Sequence, residues 1–345
     1  MNNQPFFTIG IPVYNTGKWV GECIESILSQ SFTDFELICV DDGSTDNSLQ
    51  VLNEYAVKDT RIKILSRAND GAASARNYII SSACGRYINF MDSDDFMCEN
   101  ALENAYSLIE STAFPDIVET GYYRFENGTR NIYMPKYPGD EYFSDKISRD
   151  ERAVKMWLDK TYVPFVPAKY IKKDFLYSKG ISFNPQYIIC EDSDFIFRIH
   201  QKADSIVYGD FPACTYRVGR EGSLITTLSA KSMYSSLAYE QSLYNQCELF
   251  SLSDDTKSQL NDKKLNRAYE CRSYTVSMLH GNISLHQALS IVKLTEDIFK
   301  PYLKKLPLEK GKSGIIFALY KIIGMKRTVS LLCRYLSKKG VITHE

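Results

Sequence analysis

Long apolar runs are scarce in this sequence of 345 residues, because no stretch reaches the roughly 18–20 apolar residues that a membrane-spanning helix needs. The nine cysteines form no C-x-x-C pair, and the four histidines form no H-E-x-x-H or similar cluster. This pattern argues against a zinc site and is typical of reduced thiols in a cytosol. The first residues, MNNQPFFTIGIPVY, lack the features of a secretory signal, so we expect a cytoplasmic protein.

An overall excess of one charge is also missing, since 41 Lys and Arg residues face 42 Asp and Glu residues and the formal net charge is −1. A near-neutral chain with 44% hydrophobic residues is ordinary for a globular protein and predicts no nucleic-acid partner. The charge is unevenly distributed, however, because residues 300–345 contain 11 Lys and Arg residues against 2 Asp and Glu residues. This basic segment predicts an anionic surface as a partner.

Apolar segments alternate with amphipathic ones along the first third of the chain. We predict strands at residues 6–14, 35–41, 61–65 and 86–92, and helices near residues 18–30, 46–57 and 71–84. Strands that alternate with helices of this length form βαβ units and a mostly parallel sheet. Further strands near 116–125 and 205–209, and helices near 150–160 and 192–201, are predicted to complete the same α/β domain.

Polar residues follow three of these strands where the strands end: YN after the first, DDGSTD after the second and DSDD after the fourth. Ligands of open α/β sheets bind beside the carboxyl ends of the strands, so we expect the three clusters to face one crevice. Each cluster alone also fits a turn or a helix cap. Asp92, Asp94 and Asp95 place three carboxylates within four positions, which either a turn or a divalent cation can hold.

Five segments in chain order resemble the motifs of family 2 glycosyltransferases: IPVYN, VDDGSTDNS, NDGAASARN, INFMDSDDF and CEDSDFIFRI. The resemblance covers roughly residues 5–225. It implies the GT-A nucleotide-diphospho-sugar fold, which is an α/β fold with a Rossmann-like, mostly parallel sheet and helices on both faces. It also implies an enzyme that moves a sugar from a nucleotide-diphospho-sugar to an acceptor hydroxyl.

The first two motifs match strand ends that bind the nucleotide in this family. By resemblance, Pro12 and Tyr14 would lie beside the base, where Tyr14 can stack on uracil. The alternative for Tyr14 is a tyrosine at the domain boundary with a hydrated hydroxyl. Asp41 and Asp42 match the pair of residues that contacts uracil and ribose.

Basic residues in two further segments are candidates for the diphosphate. Gly71 and Arg76 match the family sequence G-x-x-x-A-R-N at the start of a predicted helix, where phosphate is favoured. The alternative for Arg76 is an ion pair at the surface. Arg217 or Arg220, in a segment that resembles the family's mobile loop, would close on the diphosphate, although a plain basic loop also fits. Lys169 lies in a segment that resembles another family sequence, which would give it a role on the acceptor side. This role is in doubt, because the residues that precede Lys169 depart from the family pattern.

The fourth motif contains Asp92, Ser93 and Asp94 and resembles the family's D-x-D sequence. The resemblance implies that Asp94 binds Mg²⁺ or Mn²⁺ at the donor diphosphate, and that Asp92 reaches the ribose or a metal-bound water. We therefore assign both carboxylates to the metal site and all three residues to the donor site. A cation there would stabilise the charge on the departing nucleoside diphosphate. Asp95 is predicted either to cap the next helix or to contact the donor sugar.

The fifth motif opens a predicted helix with Glu191 and Asp192. By resemblance, Asp192 is the catalytic base, with Glu191 beside it in the catalytic pair, because an attacking acceptor hydroxyl must lose its proton. One base without a covalent nucleophile implies a single displacement with inversion. The alternative is that both carboxylates only compensate the helix dipole.

The chain beyond residue 229 is predicted to be helical. We divide the sequence into a GT-A catalytic domain at 1–225, a helical extension at 226–300 and a basic amphipathic tail at 301–345. Apolar residues recur at helical spacing in the tail, beginning at Ile315, with Lys and Arg residues between them. The tail would either dock on the catalytic domain or lie on an anionic membrane surface.

These expectations combine into a metal-dependent, inverting hexosyltransferase at the inner face of the cell membrane. Its donor would be a UDP-sugar and its acceptor a lipid-linked saccharide of surface polysaccharide synthesis. One alternative is a sugar-phosphate nucleotidyltransferase, which would need a glycine-rich and basic first loop, whereas IPVYNTGKW contains one glycine. The second alternative is a non-catalytic module that binds a nucleotide-sugar. The presence of both Asp94 and Asp192 argues against it.

Overall fold

The computed structural model describes residues 4–219, 230–278 and 295. The chain divides into two compact units, residues 1–226 and residues 227–345. The predicted division into three parts stays a prediction, since the tail at 301–345 and much of the extension lie outside the described residues.

Four parallel strands form the first half of the sheet in the spatial order β3-β2-β1-β4. They are β1 (Phe7–Val13), β2 (Phe35–Asp41), β3 (Ile62–Ser66) and β4 (Tyr87–Phe90), and the helices between them are α1 (Val20–Leu28), α2 (Ser48–Ala56) and α3 (Ala72–Ser82). Every residue of β2 and β4 is buried, as expected for strands covered on both faces. A Cβ atom at Gly10 of β1 would collide with Cγ2 of Ile79, so glycine lets α3 pack closely on the sheet.

The second half of the sheet mixes parallel and antiparallel pairs. Beyond β4 the order is β8-β6-β9-β5, and β7 pairs with β6. These strands are β5 (Phe96–Met97), β6 (Ile117–Glu126), β7 (Thr129–Tyr133), β8 (Lys169–Lys172) and β9 (Ile206–Arg217). Strand β6 is parallel to β9 and antiparallel to β7 and β8.

Four further helices complete the first unit: α4 (Ala101–Ser111), α5 (Arg149–Leu158), α6 (Lys173–Lys179) and α7 (Glu191–Lys202). Short 3-10 turns lie at Asp140–Phe143 and Val166–Ala168. One apolar core cluster includes residues of α1 and α4, and a second includes residues of α3, α6 and α7. These two clusters bury the apolar surface of the sheet and its helices.

The predicted GT-A fold class is confirmed, and the predicted strands and helices of the first unit are present. The prediction missed β5, β7, β8, α4 and α6. The reason for β7 is that all of its residues are exposed, so no apolar alternation marks it. Helix α4 does carry an apolar stripe, formed by Ala101, Leu102, Ala105 and Ile109, which the sequence analysis did not use.

The second unit contains α8 (Ala230–Leu249) and α9 (Asp254–Met278), in agreement with the predicted helical region. Two ion pairs join these helices: Arg267 Nε lies 2.7 Å from Glu240 Oε1, and Lys264 Nζ lies 3.2 Å from Glu248 Oε1. No helix within the described ranges is both long and apolar enough to span a bilayer.

Candidate active site

The three polar clusters at the strand ends meet, as the sequence predicted. The backbone N–H of Asp42 donates to the carbonyl of Val13 at 2.8 Å, which joins the ends of β2 and β1. The hydroxyl of Thr16 donates to the hydroxyl of Ser93 at 2.9 Å, which joins the first loop to the D-x-D segment. The ends of β1, β2 and β4 therefore lie together at one edge of the sheet.

Asn15 fixes the shape of the loop after β1, a role that the sequence analysis missed. Its backbone has a φ of 50°, which is a left-handed conformation that asparagine tolerates. Its Oδ1 accepts hydrogen bonds from the backbone N–H groups of Thr45 at 2.7 Å and of Asp46 at 3.3 Å. An asparagine directly after a strand was the signal available in the sequence.

The predicted base-binding residues lie at this edge of the sheet. Tyr14 is 48% exposed, so its ring is available for stacking, and Pro12 is partly buried. Asp41 is buried, and its carboxylate accepts long hydrogen bonds from the N–H of Ser44 at 3.3 Å and from the hydroxyl of Ser66 at 3.4 Å. Such weakly held oxygens can still accept a hydrogen bond from a ligand.

Asp42 is held more firmly than Asp41. Its carboxylate accepts hydrogen bonds from the backbone N–H of Gly71 at 2.8 Å and of Asp70 at 3.2 Å, and Arg67 Nε lies 3.3 Å away. Gly71 has a φ of 90°, in the region that favours glycine, and it directly precedes α3. Asp42 therefore positions the start of the helix that carries Arg76.

Arg76 is the centre of an ion-pair network. The residue is only 4% exposed, which excludes the alternative of a surface ion pair. Its guanidinium lies 2.8 Å from Asp92 Oδ1, 3.0 Å from Glu191 Oε1 and 3.1 Å from Asp192 Oδ1. One buried cation thus joins the D-x-D segment after β4 to the predicted catalytic pair at the start of α7.

This network shifts the ionisation of its members. Burial acts to lower the pKa of Arg76, but the charges of Asp192, Asp92 and Glu191 outweigh it and raise that pKa, so Arg76 stays charged. Burial also raises the pKa of Asp192 to about 7, and the charges of Glu191 and Asp92 contribute, while Arg76 opposes them. A carboxyl group with a pKa near neutrality is suited to accept a proton under physiological conditions.

Asp95 and Arg217 meet at the same end of β4. Asp95 is buried and directly precedes strand β5, so the prediction that it caps a helix is wrong. Its Oδ1 instead accepts a hydrogen bond from the backbone N–H of Arg217 at 2.8 Å. Arg217 Nε donates to the carbonyl oxygen of Asp94 at 3.1 Å, and its terminal nitrogen lies 2.6 Å from a carboxylate oxygen of Glu22. The structure thus brings Arg217 to the D-x-D segment, whereas Arg220 lies outside the described residues.

The acidic residues after β4 fit a cation that a ligand helps to hold. Within the described part of the chain, no group of three or more His, Cys, Asp or Glu side chains is arranged to hold a metal ion. The Oδ2 atom of Asp95 is buried and has no hydrogen-bond partner among the described residues, and burial and the charges of Asp92 and Asp94 raise the pKa of this carboxyl. Mg²⁺ is commonly held by one or two carboxylates together with substrate phosphates. The predicted metal ligands Asp92 and Asp94 would belong to that donor set.

A second charged cluster lies in the mixed half of the sheet and is completely buried. Lys169 Nζ lies 3.0 Å from Glu119 Oε2 and donates to the carbonyl of Val163 at 2.6 Å, while His200 Nε2 lies 2.9 Å from Glu119 Oε1. Lys169 is inaccessible, so it cannot contact an acceptor, and the doubt about that role was justified. The cluster instead joins β6 and β8 to α7, the helix that begins with Glu191 and Asp192, and no sequence signal pointed to it.

Comparisons with known proteins agree with this geometry. Residues 8–175 match the family model described as Glycosyl transferase family 2. The glycosyltransferase GlyG of Streptococcus pneumoniae is 32% identical over 225 residues, which is 64% of this chain and 73% of GlyG. The chain spans smaller shares, 61% and 32%, of two further curated glycosyltransferase relatives.

Two solved structures show the same fold. The crystal structure of TarS residues 1–349 from S. aureus in complex with UDP-GlcNAc has a TM-score of 0.63 and 20% identity, with 97% of this chain and 92% of that chain covered. The mannosyltransferase PcManGT from Pyrobaculum calidifontis, in complex with GDP-Man and Mn²⁺, has a TM-score of 0.52 and 14% identity. The match covers 97% of this chain and 87% of PcManGT. The chain is therefore a glycosyltransferase with the GT-A fold. It belongs to glycosyl transferase family 2.

Proposed function

We propose that this glycosyltransferase transfers a hexose from a UDP-sugar to a hydroxyl group of a saccharide acceptor, with inversion and in the presence of Mg²⁺ or Mn²⁺. The observation that carries the proposal is the contact of one buried guanidinium, Arg76, with both Asp92 and Asp192. Through this contact, the donor-binding motif and the proton acceptor are held within one ion-pair network. A binding module would not need a carboxyl group with a pKa near neutrality beside that motif.

The donor side of the proposal rests on the crevice at the ends of β1 and β2. Tyr14 offers an exposed ring to the base, and Asp41 offers a carboxylate whose existing hydrogen bonds are long. These groups suit the flat ring and the N–H donor of uracil. The complexes of TarS with UDP and with UDP-GlcNAc support UDP as the nucleotide.

In the proposed reaction, the carboxylate of Asp192 accepts the proton of the acceptor hydroxyl. The hydroxyl oxygen forms a bond to the anomeric carbon as the bond from that carbon to the β-phosphate oxygen breaks, and the electron pair leaves with UDP. Attack from the side opposite the leaving group inverts the anomeric centre. Because the pKa of Asp192 is about 7, a large fraction of the enzyme carries the required carboxylate at neutral pH.

The departing diphosphate needs compensation for its growing negative charge. Asp92 and Asp94 would hold Mg²⁺ or Mn²⁺, which would act as a Lewis acid toward the diphosphate. The Mn²⁺ of PcManGT supports this proposal. Arg217, which already lies against the carbonyl of Asp94, would add a second positive charge on the diphosphate.

The proposed acceptor is a lipid-linked saccharide, and the proposed location is the inner face of the cell membrane. Both rest on the basic segment 300–345, which lies outside the described residues. Lysines near an anionic membrane gain about 1 kcal/mol each. We expect the full chain to float with anionic liposomes at low salt, and removal of residues 311–345 to abolish flotation while donor hydrolysis persists. Equal flotation of both proteins would contradict this assignment.

A panel of UDP-sugars tests the proposed chemistry directly. We expect hydrolysis of at least one UDP-sugar when Mg²⁺ or Mn²⁺ is present and much slower hydrolysis in a chelator. Asp94→Ala should weaken Mn²⁺-dependent UDP binding about tenfold or more, as measured by calorimetry, because it removes a metal ligand. The matched control is Asp254→Ala, which changes a fully exposed carboxylate of α9. Failure of the wild-type protein to bind UDP in Mn²⁺ would contradict the proposal.

A further inference from the structure

Four aromatic side chains outside the five motifs form a row in the mixed half of the sheet. They are Tyr216 in β9, Phe165 before β8, Tyr122 in β6 and Tyr133 in β7. The ring centroids are 5.3 Å apart from Tyr216 to Phe165, 5.0 Å from Phe165 to Tyr122 and 5.2 Å from Tyr122 to Tyr133. We call these four residues the aromatic row.

The inner end of the aromatic row lies beside the D-x-D segment. Tyr216 directly precedes Arg217, whose backbone N–H donates to Asp95 and whose side chain donates to the carbonyl of Asp94. Burial raises the pKa of the Tyr216 hydroxyl, and the charges of Asp95, Asp94 and Asp92 contribute, which agrees with this proximity. A molecule on Tyr216 would therefore be next to the place where the donor sugar is activated.

The outer end of the row reaches the surface. Tyr133 is 43% exposed, and Tyr122, Phe165 and Tyr216 are partly buried. The hydroxyl groups of the three tyrosines make no hydrogen bond to any residue that the structure describes, and none of them is sealed from solvent. Tyr122 and Phe165 also pack against the first apolar core cluster, so the row offers partly exposed rings and accessible phenol groups along one path.

This combination suits a saccharide. The C–H faces of pyranose rings pack on aromatic rings, while their hydroxyl groups exchange hydrogen bonds with phenols, so both parts of an amphipathic tyrosine are used. A purely apolar occupant would leave the three hydroxyl groups without partners, which is unfavourable. The path also begins at the donor site, where a glycosyltransferase must receive the acceptor hydroxyl.

We infer that the aromatic row is the acceptor subsite and that it holds several successive sugar residues of the acceptor, with the reacting end at Tyr216 and the chain extending toward Tyr133. This inference rests on the proposed function. It predicts that a longer acceptor binds more tightly than a disaccharide, because additional sugar residues reach Tyr122 and Tyr133. It also assigns to β7, which is exposed throughout, a role in substrate binding.

Calorimetric titration in the presence of UDP and Mg²⁺ tests the acceptor subsite. The probes are chitotetraose, cellotetraose, maltotetraose and a hyaluronan tetrasaccharide, each compared with its disaccharide. We expect at least one tetrasaccharide to bind the wild-type protein and to bind more tightly than its disaccharide. Tyr133→Ala should weaken that binding about three- to tenfold, since it removes a ring contact, and Tyr122→Phe should weaken it less because only a hydroxyl is lost.

The control is Tyr137→Ala, which removes another exposed tyrosine, 55% exposed, whose ring contacts Phe143 and Tyr208 instead of the row. Saccharide binding should be unchanged in this variant, and UDP binding should be unchanged in all three. If the wild-type protein binds UDP but none of the four tetrasaccharides, or if the row variants bind like wild type, the inference is wrong and the proposed function stands. If UDP itself does not bind, both fail.

Discussion

The two halves of the sheet hold their functional groups in different ways. In the parallel half, backbone N–H groups fix Asp42 and Asn15, and Arg76 is enclosed by carboxylates. In the mixed half, the tyrosine hydroxyls of the aromatic row make no hydrogen bond to a described residue. If the two proposals hold, the donor side is organised before any ligand arrives, whereas the acceptor side keeps its hydrogen-bonding groups for a ligand.

The mixed half nevertheless contains its own rigid centre. Glu119, Lys169 and His200 are completely buried and link β6, β8 and α7. Because Asp192 lies at the start of α7, this cluster anchors the helix that carries the proposed base. The proposed catalytic pair is therefore held from two sides, by Arg76 of the parallel half and by the buried cluster of the mixed half.

Replacement of the proposed base should produce the largest effect and removes one charge from the network that joins the two halves. Asp192→Asn keeps the shape of the side chain but removes the proton acceptor, so we expect transfer to fall by about 10²–10⁴-fold. UDP affinity in Mn²⁺, measured by calorimetry, should remain close to that of the wild type. The control is Asp204→Asn, which changes an exposed carboxylate paired with Arg149. Transfer within a few-fold of the wild-type rate would place the base elsewhere.

Removal of the buried cation tests the rigid centre of the mixed half. Lys169→Met leaves the buried carboxylate of Glu119 with His200 but without its lysine partner, and we expect the free energy of unfolding to fall by about 3–5 kcal/mol in a urea titration. Lys179→Met is the matched control, since its ion pair with Asp204 is partly exposed and should contribute less than about 1 kcal/mol. Equal losses in the two variants would contradict the special role of the buried cluster.

A change of pH is the mildest of these perturbations, and we expect it to have the smallest effect on transfer. It tests whether Asp192 is the base. The pKa of Asp192 is raised to about 7, so the carboxylate form is lost as the pH falls through neutrality. We expect kcat/KM to decrease about tenfold per pH unit below that value and to level off above it. UDP binding should be measured over the same range as a control. A flat profile from mildly acidic to neutral pH would show that Asp192 does not limit the reaction.

Much of the parallel half was predictable because its signals are local in the chain. The strands of the first 92 residues, the polar clusters after them and the five family motifs are each contained in short segments. The contact between Arg76 and Glu191, in contrast, joins residues 115 positions apart. From the sequence, Arg76 is a candidate either for the donor diphosphate or for a surface ion pair, and no local pattern shows that it is buried against both acidic motifs.

The mixed half was less predictable for two physical reasons. Strands β5 and β8 have two and four residues, which is too short for a reliable periodic pattern, and β7 is exposed along its whole length. The members of the aromatic row come from four separate segments, so their proximity depends on the pairing of β6 with β7 and β9. Single tyrosines in a sequence carry no mark of such a row.

The amino-acid sequence by itself determined the alternation of strands and helices, the family and the set of acidic and basic groups available for catalysis. Periodicity and motif spacing depend on neighbours along the chain, and these are readable without a structure. Only the tertiary structure decided that Arg76 is shared by Asp92 and Asp192 and that the pKa of Asp192 lies near 7. The physical reason is that desolvation and Coulomb interactions depend on burial and on distances through space, which a linear sequence does not contain.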